Sequence, residues 1–275
     1  MLVDGEGIDL KPLLKQGFYD CWTEVYALAM VRVTGSIPLK RVKDAWEKLY
    51  DAEDIKPHLN TKKLSKVLYN VGMNRAGQNI IFNELLDLSK QLVYDLSSVF
   101  SRSMNISQAE KGYNKDKMHV PQINLALLCS ADSGLPTMIR SVPGSVKDIL
   151  TLYHSISELN LSGKILVIDR GFFSKDVVKF LGGKHISYVL PTRRNIHLYD
   201  TRIHLNGHLY YHDRLIRYGK RKYDNFFLYL FEDQDLMPEE RKTLYMKLDD
   251  DKIDKKELRE RMKKTGEILI ISNLI

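Results

Sequence analysis

Two carboxylates interrupt apolar stretches of the chain, Asp95 in "LVYDLSS" and Asp169 in "KILVIDRG". An ionised acid at the tip of a hydrophobic run loses hydration at a cost of several kcal/mol unless something compensates it. A divalent cation is one solution, since Mg²⁺ is held by one or two carboxylates together with phosphate oxygens and water. Ordinary structural roles stay open beside it. Asp169 can cap the helix that follows or pair with Arg170, and Asp95 can start a turn through Ser97 and Ser98. No Gly-x-Gly-x-x-Gly follows any strand, which argues against a dinucleotide site.

Two further clusters carry possible chemistry. The run "RLIRYGKRK" holds Arg214, Arg217, Lys220, Arg221 and Lys222 with no acid among them. Clustered cations of this kind suit phosphate contacts without sequence readout, or else form a solvated hairpin tip around Tyr218-Gly219. His204, His208 and His212 recur every four residues, a spacing that lines one face of a helix in some zinc sites. Asn206-Gly207 falls inside that run and tyrosines follow, so a hairpin is the expected structure. "DDDKIDKKELRERMKK" reads as a charged, solvated helix face.

The elements that must position these residues change character along the chain. Residues 10–90 carry apolar positions at helical spacing, as in "DCWTEVYALAMVRV" and "LKRVKDAWEKLY". "LNTKKLSKVLYNVG" adds Thr61 as a cap candidate and Gly72 as a stop. This is a helical module, either a DNA-binding unit of helix-turn-helix kind or a plain packing layer. From residue 91 the texture becomes β-β-β-α-β-α-β: "QLVYDLSSVF", a hairpin over "DSG", then strand–helix alternation through "KILVIDRG" and "HISYVLPTR". That order predicts a mixed α/β sheet. Its first and fourth strands commonly lie side by side, which brings Asp95 and Asp169 to one sheet edge. Residues 196–236 are aromatic and alternating, a β-rich insertion. Two polar helices near 238–248 and 254–264 follow, then a last strand, "GEILIIS".

Composition narrows the class. The 275 residues are 44% hydrophobic and 28% charged, enough for a sizeable core. The formal net charge is +7. It is spread over the chain, with 13 Lys/Arg against 12 Asp/Glu in residues 1–90, 13 against 9 in 91–200, and 16 against 14 in 201–275. A distributed basic excess points to an anionic partner, nucleic acid first. No apolar run reaches the roughly 20 residues of a membrane span, and no signal peptide is evident. Cys21 and Cys129 form no motif, in keeping with a reducing, cytoplasmic setting.

Taken together, "YDLSS", "KGYNKDK", "QINLAL", "GLP", "PGSVKD" and "DRGFFS" resemble the catalytic domain of DDE transposases of prokaryotic insertion sequences. Within these the likeness is to the insertion-sequence-four-like family with its β-rich insertion. The resemblance runs from about residue 20 to the C-terminus and is sharpest over 92–182. It implies a ribonuclease-H-like fold, with a helical module at 1–90, a catalytic core at 91–195, the insertion at 196–265 and the returning core strand at 266–275. It also implies a two-metal site of Mg²⁺ or Mn²⁺ in which Asp95 and Asp169 are the first two acids. The function implied is cleavage and strand transfer at transposon ends into target DNA, by a homodimer associated with the nucleoid. The family has a third acid, a Glu on a helix after the insertion, in a stretch with Tyr and Arg just before it. "GEILIISNLI" resembles the strand before that helix, and Glu257, Glu260 and Glu267 lie too early. The expectation is therefore a C-terminally truncated transposase of doubtful activity, or a non-catalytic DNA-binding remnant or inhibitor of a full-length partner.

Overall fold

The computed structural model describes residues 9–49, 55–112, 120–146 and 148–275. Most of "KGYNKDK" and Lys147 of "PGSVKD" lie outside them. The chain divides into two compact units, residues 1–88 and 89–275.

The first unit is helical: α1 (Leu10–Gly17), α2 (Trp22–Val33), a 3₁₀ turn at Leu39–Arg41 running into α3 (Val42–Trp46), α4 (Thr61–Met73) and α5 (Arg75–Asp87). Ala27, Val31, Val42, Trp46 and Leu64 form its buried centre. The α4 cap differs from the sequence expectation. Asn60 is the cap, accepting from the N–H groups of Lys62 and Lys63 at 2.8 and 3.4 Å, and Thr61 is already helical. Gly72 stays inside the helix. The break comes at Asn74, whose Oδ1 accepts from the Gly77 N–H at 2.9 Å and restarts the chain as α5.

The second unit is built on one sheet. Its strands are β1 (Gln91–Phe100), β2 (Gln122–Ser130), β3 (Pro136–Pro143), β4 (Ile165–Ile168), β5 (Ser187–Pro191), β6 (Gly207–Tyr211), β7 (Arg214–Tyr223), β8 (Phe226–Asp233) and β9 (Glu267–Ser272). They lie in the order β3-β2-β1-β4-β5-β9-β8-β7-β6. This is the expected mixed α/β sheet with flanking helices, and it fits a ribonuclease-H-like domain. β1 runs antiparallel to β2 and parallel to β4, and β4 is parallel to β5. Helices α6 (Asp148–Ser157) and α7 (Lys175–Gly183) connect β3 to β4 and β4 to β5. Right-handed crossovers put both on the same face, and the Tyr153 and Phe180 rings meet between them at 4.4 Å. Alternation along the strands does the rest. Leu92, Tyr94, Leu166, Ile168, Tyr188 and Leu190 are buried on that face with Leu152, Ile156, Val177 and Leu181 of the helices. Burial also pushes the Tyr188 phenol up to about 12.

The insertion is a three-stranded extension, β6-β7-β8, carrying α8 (Leu236–Asp249) and α9 (Lys255–Met262) before β9 returns to pair with both β5 and β8. Its first turn is not Asn206-Gly207. His212 and Asp213, at φ 46° and 63°, make the two-residue turn between β6 and β7. Such a turn needs positive φ at both central residues. Gly207 opens β6 under the Tyr218 ring, where a Cβ would collide. Nor is Tyr218-Gly219 a hairpin tip. It sits in the middle of β7, hydrogen-bonded to β6 and β8 on either side.

Candidate active site

The register of β1 and β4 positions the two acids. Tyr94 lies opposite Ile168 in parallel pairing, and the next residue on each strand is an aspartate. Asp95 continues β1 and pairs with Leu127 of β2, so it starts no turn. Asp169 keeps extended backbone, φ −66° and ψ 150°. Neighbouring strands are about 4.8 Å apart, so both carboxylates leave the same edge of the sheet side by side. They share the face opposite Tyr94 and Ile168, and both are exposed. Beyond this point β1 runs on to Phe100, paired with β2, whereas β4 ends at Ile168 and the chain turns toward α7.

The turn after Asp169 is held from two directions. Asp169 Oδ2 accepts from the Gly171 N–H at 3.3 Å and caps the 3₁₀ turn Arg170–Phe172. The capping role thus exists, and it leaves the second carboxylate oxygen available. Phe172 packs edge-on against Tyr94 beneath the site, with centroids 5.3 Å apart. Just past β5, the Arg193 guanidinium donates to the Gly171 carbonyl at 3.0 Å. Arg194 donates to the Glu267 carbonyl and, at 2.8 Å, to Glu240 of α8. Sequence reasoning passed over this arginine pair, whose signal was two adjacent cations directly after a strand. A cavity of about 810 Å³ opens here, lined by Arg170, Arg194, Glu240, Lys247 and Lys264 among others.

Residues 88–264 match the family described as the transposase DDE domain. The chain belongs to the DDE transposases. No curated protein matches it. Membership makes DNA the substrate class and transposition the process, and the family generally uses divalent metal ions.

For a DDE transposase the site has two carboxylates at hand. Among the described residues no group of three His, Cys, Asp or Glu side chains is placed to hold a metal. Glu257 and Glu260 are engaged in ion pairs with Arg261 and Lys263 on α9. Glu267 opens β9, but alternation from Ile270, which lies opposite Pro191, puts it on the face away from the acids. There it sits opposite Glu232 on β8. Burial first, then the Glu232 charge, push the Glu267 carboxyl above its ordinary value, while Arg194 and Lys264 act the other way.

The basic run of the transposase lies on β7, divided by its alternation between two faces. Arg217 bonds Glu232 at 3.2 Å, and Arg221 donates to the Arg202 carbonyl at 2.8 Å. On the other face Arg214 bonds Asp233 at 2.8 Å, while the exposed Lys220 rests over the Phe227 and Tyr229 rings. Following the paired residues strand by strand from Val93 through Val167, Val189, Ser272 and Phe227 reaches Lys222. The two lysines therefore share the face of Asp95 and Asp169. The histidines do not converge: His208 is in β6, His212 in the turn, and His204 precedes both.

Proposed function

We propose that Asp95 and Asp169 hold divalent metal for DNA strand cleavage and strand transfer at transposon ends, in the manner of the insertion-sequence-four-like transposases. The single observation that carries this is the in-register placement of the two aspartates on one face of neighbouring parallel strands. Hard carboxylate oxygens at an exposed strand edge fit Mg²⁺ or Mn²⁺, which take oxygen ligands and keep several waters. When bound, a metal pair supplies an activated nucleophile and stabilises the departing oxygen. The protein's own part is positional. Asp95 rides on a strand paired on both sides. Asp169 is fixed by its bond to the Gly171 N–H, and Arg193 clamps that turn from β5. Lys220 and Lys222 draw the phosphate backbone across the same face, and Arg217 and Arg221 brace the insertion beneath it.

On this reading residues 91–195 are the catalytic core and 196–265 the insertion. A third carboxylate has to approach the face of Asp95 and Asp169, which removes Glu267 from consideration. We propose that, among the described residues, Asp95 and Asp169 act without a third carboxylate, in a homodimer on transposon ends and target DNA. The chain alone then binds DNA better than it cuts it. Loss of a comparable transition-state contact costs on the order of 10²–10³ in rate. The absence of a third ligand among the described residues also favours a second reading, a non-catalytic DNA-binding remnant or inhibitor.

The test is Mn²⁺-dependent nicking of supercoiled plasmid together with Mn²⁺ binding followed by electron paramagnetic resonance. Slow nicking and measurable binding, both lost in Asp95→Asn and Asp169→Asn proteins that still melt normally, support the site. Binding that survives both substitutions rules it out. Binding without any nicking selects the second reading.

A further inference from the structure

The structure assigns DNA sequence readout to the outer face of α4, an inference that rests on DNA being the substrate. Charge is the first observation. Residues 55–83 contain five Lys/Arg and no Asp or Glu, whereas residues 1–54 contain seven Lys/Arg and ten Asp/Glu. The basic stretch is centred on α4.

Burial is the second. Of the thirteen residues of α4, only Leu64 and Val67 are buried, and they face the unit's core. The line directly opposite runs Lys62, Lys66, Tyr69, Met73, spaced i, i+4, i+7, i+11 and so stacked along one face. Tyr69 and Met73 are each 68% exposed. Tyr69 and Met73 thus continue the line of Lys62 and Lys66 along one exposed face of a helix with no carboxylate. Ser65 and Asn70, both exposed, flank the line.

These side chains match what a helix meets in duplex DNA. The major groove admits an α-helix and presents donors, acceptors and thymine methyls. Lys62 and Lys66 reach phosphates, which orient without specifying. Tyr69 and Met73 supply apolar and hydroxyl contact to base edges, and Asn70 is suited to adenine. A membrane surface is a poorer partner, because the outward line offers only Tyr69 and Met73 beside its lysines, short of the broad apolar face that an interfacial helix inserts. Readout by α4 would complement the β7 lysines, which see only backbone.

The experiment is selection from a pool of random duplexes by the full chain, comparing wild type, Tyr69→Ala/Met73→Ala and Lys62→Ala/Lys66→Ala. The wild type should enrich one motif. The Tyr69/Met73 variant should lose preference for that motif by roughly 5- to 150-fold while keeping its affinity for unselected DNA. The lysine variant should weaken on all duplexes, with the salt slope reduced by about two. Enrichment of the same motif by the Tyr69/Met73 variant overturns the assignment even if nicking depends on Asp95 as proposed. A wild type that binds duplexes but enriches nothing also overturns it. A wild type that binds no duplex removes the DNA reading and this inference together. Tyr69, Met73 and the lysines are exposed, so all variants should melt with the wild type, and one that does not is replaced by Tyr69→Gln/Met73→Gln.

Discussion

Arg214 and Asp233 meet at 2.8 Å across the β7–β8 pair, and the carboxylate is almost fully buried while the guanidinium stays partly open. The other oxygen of Asp233 accepts from the N–H groups of Asp235 and Leu236, at 3.0 and 2.9 Å, where the chain enters α8. One side chain therefore joins the insertion strands to the helix that follows. Removing one partner of a buried pair leaves a desolvated charge behind. Arg214→Ala should lower stability by about 2 kcal/mol, the backbone bonds to Asp233 softening the loss. Thermal melting measures this, and an unchanged midpoint would show that the pair contributes nothing.

The same geometry changes what the basic run is expected to do. Arg217 and Arg221 are bonded within the protein on the face opposite the acids, whereas Lys220 and Lys222 lie exposed on the acid face. Lys220→Ala/Lys222→Ala should weaken binding to every duplex alike and reduce the salt slope by roughly two. Exposed charges contribute little to folding, so stability should hold. Arg217→Ala/Arg221→Ala should leave the salt slope near wild type. Filter-binding titrations at several salt concentrations separate the pairs. A larger slope change from the arginines would place the backbone on the other face.

Sequence made the shared strand edge of Asp95 and Asp169 legible because the relevant signals are local and strong. Two apolar runs each end in an acid, and the β-β-β-α-β order constrains their strands to be neighbours. The misreadings arose where neighbouring residues compete for one role or where the partner is distant. Asn60 and Thr61 are both good caps, and only the backbone decides that Asn60 takes the post. Asn-Gly is a strong turn signal, yet Gly207 is required for room under Tyr218, and the turn fell to His212-Asp213. The arginines of β7 looked free because Glu232 and Asp233 come 15 and 19 residues after Arg217 and Arg214. The opposed faces of Asp95 and Glu267 depend on a register running through four strands, which no local pattern reveals.

Glu267 gives the domain a readable pH dependence. Its carboxyl is raised by burial and by Glu232, so the folded state favours the protonated form. A raised acid contributes its stability fully below the unfolded value of about 4.3 and loses it as pH rises through the folded value. Glu267→Gln keeps a neutral, hydrogen-bonding side chain at every pH. It should therefore melt above wild type at pH 7, and the difference should close on acidification toward pH 4. The backbone carbonyl that receives Arg194 is untouched by the change. A difference that grows on acidification would mean that Arg194 and Lys264 outweigh burial and Glu232.

The adjacency of Asp95 and Asp169 predicts a metal effect that needs no catalysis. Like charges on neighbouring strands destabilise the pair, so without metal one of them is better absent. In chelator, Asp95→Asn should melt at or slightly above wild type. Asp169→Asn should do the same, because asparagine preserves the cap at the Gly171 N–H. Asp169→Ala loses that cap and should fall by about 1 kcal/mol. Adding Mg²⁺ or Mn²⁺ reverses the order. A ligand that binds only the folded protein stabilises it by RT ln(1 + [L]/Kd), about 1.4 kcal/mol at ten times Kd. Wild type should gain this, and each Asn variant should gain much less, since one carboxylate then holds the ion alone. Melting curves with and without metal on the four proteins decide the matter. An equal metal-induced shift in all four would mean that the ions bind elsewhere, and that the two aspartates share an edge of the sheet for structural reasons alone.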